Sequence, residues 1–331
     1  MRVAVGISGG VDSAVAALLL KRQGHDLVGV TMTLGRTDEE KSLAEAQKVA
    51  DRLAIPFKVF DFAKAWKTNV VDYLKTTYLG GQTPNPCVRC NETVKFALLP
   101  EAAFALGCER FATGHYARIR KKEEGGRRED GISLFRAKDR AKDQSYFLYR
   151  VRPEILAKTI FPLGELTKTE VRALARDAGF ESADRDDSQD FCGGDVRRFL
   201  GTDPRKGLII RADGTVLGEH DGFWNYTVGK RKGLGIGGGT PYYVIGLNAA
   251  KNEVIVGFKE ETLAYDLNLT DCVGIIDKTL PVKVRSAGEP KLLKDGIAGI
   301  APGQSAVFYR GDEIVGGGII AEAATKSFTP T

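Results

Sequence analysis

The rhythm of apolar residues divides this chain. From residue 1 to about 204, short apolar runs alternate with stretches whose apolar positions recur at helical spacing. Arg2 to Ile7, Leu27 to Leu34, Phe57 to Phe60 and Arg110 to Thr113 read as strands, and Glu39 to Leu53, Ala63 to Tyr78 and Val94 to Leu106 as helices. That alternation predicts an α/β domain, a parallel sheet covered by helices with its ligand site at the C-terminal edge of the strands. From 205 to 264 the runs shorten to Gly207–Arg211, Tyr242–Leu247 and Val254–Gly257, split by turns such as Ala212-Asp213-Gly214-Thr215, as in a small central β-rich domain. From 265 to 331 the runs Pro281–Arg285, Ser305–Tyr309 and Glu313–Ile320 predict a C-terminal antiparallel β-barrel. The charged run Arg120 to Asp130 reads as a solvated hairpin tip, or as a basic tip that touches RNA phosphates if it lies beside a site.

Composition narrows the setting. With 331 residues, 43% hydrophobic and 27% charged, the chain can bury two or three cores. Its first apolar run is interrupted by glycines, and no apolar run reaches the roughly 18 residues of a membrane span. No membrane partner is expected, and the location expected is cytoplasmic. Five cysteines, an odd number, argue against a disulfide framework and for catalytic or metal-binding thiols. The net charge of +5 is compatible with a nucleic-acid partner.

The first chemistry lies where the first strand runs into a helix. Gly6, Ile7, Ser8, Gly9, Gly10, Val11, Asp12 and Ser13 form a glycine-rich turn ahead of an Ala/Leu-rich helix. Glycines there allow close backbone approach, and unpaired N–H groups converge with the positive end of the helix dipole, an arrangement suited to a phosphate. Asp12 fits a Mg²⁺ ligand or a helix cap better than a phosphate partner. Without a Lys the loop is not of the G-x-x-x-x-G-K-[ST] kind. It resembles the pyrophosphate loop (PP-loop) of the ATP pyrophosphatases, which implies ATP with Mg²⁺ and leaves the substrate open.

The cysteines add a second layer. Thr83-Pro84-Asn85-Pro86-Cys87-Val88-Arg89-Cys90 is a Pro-rich loop ending in C-x-x-C, ahead of a helix expected near Glu92. A helix N-terminus and Arg89 would both lower a thiol pKa there. Cys192 lies in Asp187-Ser188-Gln189-Asp190-Phe191-Cys192-Gly193-Gly194, a loop whose glycines admit a bulky substrate or a persulfide. Cys108 and Cys272 read as packing residues.

Taken together, SGGVDSAV, TPNPCVRCN, ATGHYAR, KDQSYFLY, FPLGE, DSQDFCG, GEHDG, GKRKGLGIGG and PGQSAVFY, in this order between residues 3 and 320, resemble the tRNA 2-thiouridylases, the MnmA family. The resemblance implies ATP-dependent 2-thiolation of the wobble uridine, position 34, of tRNA by a PP-loop sulfurtransferase that releases AMP and pyrophosphate. It implies that Gly6 to Ser13 bind ATP, with Met32 near the adenine and Gly114 lining the pocket. Cys192 would carry sulfur as a persulfide and Cys90 would release it by forming a Cys90–Cys192 disulfide. Asn85, Pro86 and Cys87 would border the flipped base, and Lys142, Asp143, Gln144, Arg285 and Gln304 would contact tRNA. His115 is read as a general acid/base, an RNA contact or a packing residue. An upstream sulfur donor, a persulfide carrier or a cysteine desulfurase, is implied as a partner.

Two departures from the family pattern matter. Many members have Asp where this chain has Cys87, and Cys87, Cys90 and Cys192 could together ligate a 4Fe-4S cluster that delivers the sulfur. Persulfide relay and cluster chemistry both remain open at the level of sequence. Gly193-Gly194 also replaces the bulkier pair usual after the distal cysteine, which loosens that loop. Two other functions stand beside thiolation. A PP-loop enzyme for a small molecule would explain the loop but neither the cysteines nor the β-rich tail, and a non-catalytic RNA-binding sulfur carrier would not explain an intact nucleotide loop.

Overall fold

The computed structural model describes residues 1–37, 39–121, 131–183, 197–237, 239 and 241–325. The chain divides into two units, Met1–Val70 with Cys87–Phe191 and Gly311–Ile314, and Val71–Pro86 with Cys192–Arg310 and Val315–Thr331. Neither unit is one continuous stretch of sequence.

In the first unit, β1 (Arg2–Gly6), β2 (Asp26–Thr33), β3 (Phe57–Asp61), β4 (Arg110–Ala112) and β7 (Thr159–Ile160) form a parallel sheet in the order β3-β2-β1-β4-β7. The register sets Val3 between Leu27 and Arg110. Helix α1 (Val11–Arg22) is buried almost all round, from Ala14 through Leu18, so its run of alanines and leucines has no polar face to show. Val3, Val5 and Ile7 of the sheet side pack with α1, with Ala46, Val49 and Ala50 of α2 (Glu39–Arg52), and with Val171 and Ala175 of the helix Lys168–Asp177. Each fully buried Val, Leu or Ile contributes about 1.5–3 kcal/mol. The strand order reverses its direction of growth at β1 and β4, so the loops after these two strands open into the crevice where ligands of such sheets bind.

An antiparallel hairpin, β5 (Ala117–Lys121) with β6 (Ile132–Arg136), flanks residues 122–130, which lie outside the described residues. The expected helix Ala63–Tyr78 is broken into Ala63–Trp66, a π-turn Lys67–Asp72 and Tyr73–Leu79. C-x-x-C is not a loop before a helix. It forms the short helix Pro86–Cys90, whose first position suits the fixed φ of Pro86, and a π-turn Asn91–Lys95 follows before Leu98–Ala105.

In the second unit, β8 (Gly207–Arg211), β9 (Val216–His220), β10 (Tyr243–Asn248) and β11 (Glu253–Gly257) make a sheet in the order β10-β11-β8-β9. It closes over Ile209, Phe223, Tyr226, Leu234, Val244, Val254 and Val256. The tail strands β12 (Leu263–Gly274), β13 (Val282–Lys283), β14 (Ile297–Ala298), β15 (Ser305–Arg310) and β16 (Glu313–Thr325) run antiparallel in the order β13-β15-β16-β12-β14. Leu267, Phe308, Val315 and Ile320 lie in their core. The start of β16 belongs to the first unit, where Glu313 and Ile314 pair with Phe135 and Leu134 of β6. The long β12 left little trace in the sequence because it is largely exposed and its register shifts between Thr270 and Val273, around Asp271 at φ 49°. Cys272, expected to pack, is exposed on it, whereas Cys108 is buried as expected. No helix among the described residues is long and apolar enough to cross a membrane.

Candidate functional site

The loop after β1 carries the anion-binding geometry at the switch point of the sheet. Gly10 is the N-cap of α1, and no side chain caps the helix there. The first-turn N–H groups therefore remain available to an anion, reinforced by the helix dipole. Ser13 Oγ accepts from Ser8 N at 3.1 Å and donates to Gly10 O at 2.9 Å, which fixes the shape of the turn. The glycines serve different ends. Gly10 faces open space apart from Ser8 Oγ, so a ligand can reach its backbone. Gly9 has φ +80°, and a Cβ on it would stand 2.7 Å from Glu45 Cβ, so its lack of a side chain serves packing against α2. A Cβ on Gly114, in the loop after β4, would meet Asp12 C at 2.7 Å and Ser13 N at 2.8 Å. Gly114 thus lets two strand-end loops touch backbone to backbone. Met32 lies near the C-terminal end of β2, in register with Phe60.

Asp12 neither caps α1 nor stands free for Mg²⁺. Its Oδ1 accepts from Lys168 Nζ at 2.7 Å and from Tyr116 Oη at 2.8 Å, and its Oδ2 accepts from Lys168 at 2.9 Å. Lys168 opens a helix held by a full capping box, Thr167 with Glu170, and its backbone N–H donates to Asp139. The lysine that the loop lacks in sequence thus arrives from 156 positions away. Neither Lys168 nor Tyr116 was singled out from the sequence. The only trace of Lys168 is its place at the start of a capped helix just after FPLGE.

Cys87 and Cys90 lie one helical turn apart in Pro86–Cys90, and both are half-buried. The expected lowering of a thiol pKa is overturned for Cys90. Burial pushes its thiol up, against a smaller opposing pull from Lys95 and Arg36. Arg89 turns instead to Glu92 Oε2 at 3.0 Å, while Arg150 takes Oε1 at 2.8 Å, so Glu92 ties the cysteine helix to the rest of the unit. Cys192 and its whole loop lie outside the described residues. Among the described residues no group of three His, Cys, Asp or Glu is placed to hold a metal; the third thiolate expected for a 4Fe-4S cluster, Cys192, lies outside them.

His115 forms a three-ring cluster with Phe96 and Phe161, at 5.4 Å and 6.2 Å, with Nδ1 hydrogen-bonded to Thr113 Oγ1 at 2.8 Å. Burial, with help from Lys95, holds its pKa well below the usual histidine value. A neutral ring in an aromatic cluster favours the packing role over a charged RNA contact.

The residues expected to touch tRNA fare differently. Asp143 is turned inward. Its carboxylate accepts from Ala137 N at 3.0 Å and Ser145 N at 3.2 Å and faces buried Arg136 at 3.5 Å, so it organises the KDQS turn and offers no surface to RNA. Gln144 accepts from Tyr116 N at 3.0 Å and is half-buried, as is Lys142. In the second unit Gln304 Nε2 donates to Thr83 O at 3.2 Å and Pro84 O at 3.1 Å, next to Asn85 and Pro86. Arg285 Nη2 donates to Ala298 O at 2.6 Å while remaining exposed.

Comparison with known proteins agrees with this geometry. Residues 1–193 match a family profile described as the tRNA methyl transferase HUP domain, 196–258 its PRC-barrel domain, and 281–320 an aminomethyltransferase beta-barrel domain. The curated relatives carry a different description. A tRNA-specific 2-thiouridylase MnmA of Nostoc sp. is 42% identical over 349 residues, which cover 96% of this chain and 98% of that one. Its counterparts in Acidithiobacillus ferrooxidans and Geobacter metallireducens are 42% and 41% identical, covering 96% and 98% of this chain and 97% and 98% of theirs. Solved structures match less fully. A 4-thiouridine synthetase–RNA complex with bound ATP, at TM-score 0.41, 17% identity and 57% of this chain against 44% of its own, is too partial to bear on the assignment. On end-to-end identity above 40% to curated members, the chain belongs to the tRNA-specific 2-thiouridylase (MnmA) family.

Proposed function

We propose that this protein uses ATP to adenylate the 2-oxygen of the wobble uridine, position 34, of tRNA and then replaces that oxygen with sulfur. The observation that carries the reading is the uncapped N-terminus of α1 at the sheet's switch point, with Lys168 beside it. Open N–H groups and a cation suit a pyrophosphate leaving group, whose charge grows as the bond between the α- and β-phosphates breaks. ATP enters as its Mg²⁺ complex. Lys168, released from Asp12 by the arriving phosphates, neutralises the β- and γ-phosphates, and Asp12 returns it when pyrophosphate departs. Met32 and Gly114 border the nucleotide.

Sulfur then follows a persulfide route. The terminal sulfur of a Cys192 persulfide, loaded by an upstream persulfide carrier or cysteine desulfurase, attacks C2 of the activated uridine, and AMP leaves with its oxygen. Cys90, losing its proton, attacks Sγ of Cys192. The S–S bond to the transferred sulfur breaks, its electron pair completes the C2 thiocarbonyl, and a Cys90–Cys192 disulfide remains for a thiol reductant to open. The raised thiol pKa of Cys90 keeps it protonated and quiet until this last step. Asn85, Pro86 and Cys87 border the flipped base, with Lys142, Gln144, Arg285 and Gln304 toward the tRNA. Such an enzyme works in the cytoplasm, where tRNA is found.

Pyrophosphate release from ATP, measured with and without unmodified tRNA and followed by a thiolation assay on the same tRNA, tests the reading. Release that depends on tRNA is expected. Release that ignores tRNA would point to a small-molecule substrate, and no release at all to a non-catalytic RNA-binding carrier.

A further inference from the structure

The glycine-rich segment Gly229–Gly237 is used neither by the nucleotide loop nor by the cysteines, yet its geometry is distinctive. Leu234 is buried in the core of the central sheet and Ile236 packs against it, so alternate residues anchor the segment. The residues between them, Gly233, Gly235 and Gly237, are exposed. A Cβ placed on any of the three meets no described atom within 4 Å, so packing within the chain does not demand glycine there. Gly233 and Gly235 have φ of +72° and +70°, which explains them by conformation. Gly237 lies outside the left-handed region, and neither backbone nor packing accounts for it.

The bare strip also has donors to offer. None of the backbone N–H groups from Arg231 to Gly237 bonds to another described residue. Arg231 and Lys232 are exposed at its start and form no ion pair with a described residue, whereas Lys230 is occupied by Asn225 O and the Tyr226 ring. The strip lines a polar hollow of about 380 Å³, with Tyr242 on its wall. N–H groups and two cations that have no partner among the described residues, on a backbone stripped of side chains, form a cradle for a bulky polyanion that must approach closely.

We propose that Arg231–Gly237 is a docking strip for the sugar-phosphate backbone of the RNA substrate. The inference rests on the reading that tRNA is that substrate. Arg231 and Lys232 neutralise phosphates, and the glycine face lets the ribose-phosphate chain lie against the protein backbone. Contacts of this kind position RNA without reading its sequence.

The test is equilibrium binding of an unmodified tRNA transcript to the full-length protein over a range of salt concentrations, for wild type, R231A/K232A and G237V. Loss of the two cations should weaken binding on the order of tenfold and make the slope of log K against log salt shallower by about two. G237V should weaken binding with an unchanged melting temperature, because its side chain enters space that no described atom occupies. An RNA hairpin of unrelated sequence should lose affinity in the same proportion. Wild-type affinity and slope in both variants would overturn the docking strip while leaving tRNA as substrate. Failure of the wild type to bind tRNA would overturn the substrate reading and the strip with it.

Discussion

Gln304 holds the carbonyls of Thr83 and Pro84 through its single amide nitrogen, across 220 residues of sequence. Thr83 N donates to Pro302 O at 2.7 Å, and a Cβ on Gly303 would stand 2.9 Å from Thr83 O, so the turn Pro302-Gly303-Gln304 grips the chain that leads into Cys87. Each such hydrogen bond contributes about 1 kcal/mol. Q304A should lose them and loosen the Pro-rich loop, with faster hydrogen exchange at the Thr83 amide and thiolation reduced more than pyrophosphate release. Unchanged exchange in the variant would show that the clamp is held by Pro302 and Gly303 alone.

Lys168 reaches the phosphate loop through its pair with Asp12. K168M should reduce pyrophosphate release on the order of 100-fold, the scale seen when one preorganised charge donor is removed, and leave tRNA affinity within twofold. K168R should recover little, because a planar guanidinium cannot replace a compact ammonium in the Asp12–Tyr116 slot. Release at the wild-type rate in K168M would remove Lys168 from the mechanism.

Gly114 tests the contact between the two strand-end loops. In G114A the added carbon would sit within 2.8 Å of Asp12 and Ser13 backbone atoms, which cannot yield without moving the turn. A loss of about 1–3 kcal/mol of stability is expected from overpacking, together with a raised KM for ATP. Wild-type stability and ATP affinity would mean that the loops are not pressed together in solution.

On the proposed persulfide route the thiols separate activation from transfer. C192A and C90S should both release pyrophosphate normally and fail to produce thiolated tRNA in multiple turnover. Because burial holds the Cys90 thiol above its ordinary value, the sulfur-release step should accelerate as pH rises past about 8.5, the range in which an unperturbed thiol is already half ionised. C87S and an iron-free preparation should both keep full activity on the persulfide route. Activity that is lost with iron and restored by anaerobic reconstitution would replace that route with cluster chemistry.

His115 gives a stability signature. Its folded pKa lies well below the unfolded value near 6.5, so under more acidic conditions the unfolded chain binds a proton that the folded chain refuses. The stability the neutral ring confers is complete at neutral pH and is lost as pH falls through about 6.5 toward the folded pKa. H115Q should show a smaller drop in melting temperature between pH 7.5 and 5.5 than wild type. Buried His220 shifts in the same direction, so part of the drop will remain in that variant. Identical drops in the two proteins would mean that His115 titrates normally.

The sequence by itself determined the alternation of strand and helix in the first two hundred residues, the Ser8–Ser13 turn and the shift from α/β to β texture, because these depend on local periodicity and on glycine at a strand-to-helix turn. It also determined the family, since its motifs are short and run in a fixed order. Only the tertiary structure decided which partners met. Lys168 reaches Asp12 and Gln304 reaches Thr83 across more than a hundred residues, distances at which no local pattern operates. The same holds for Asp143, acidic beside a basic motif yet sealed under Ala137 and Ser145, and for Cys90, whose thiol burial raised where its neighbours in sequence suggested the reverse. Charge and proximity along the chain can be read from residues in order; desolvation and long-range pairing exist only once the chain has folded.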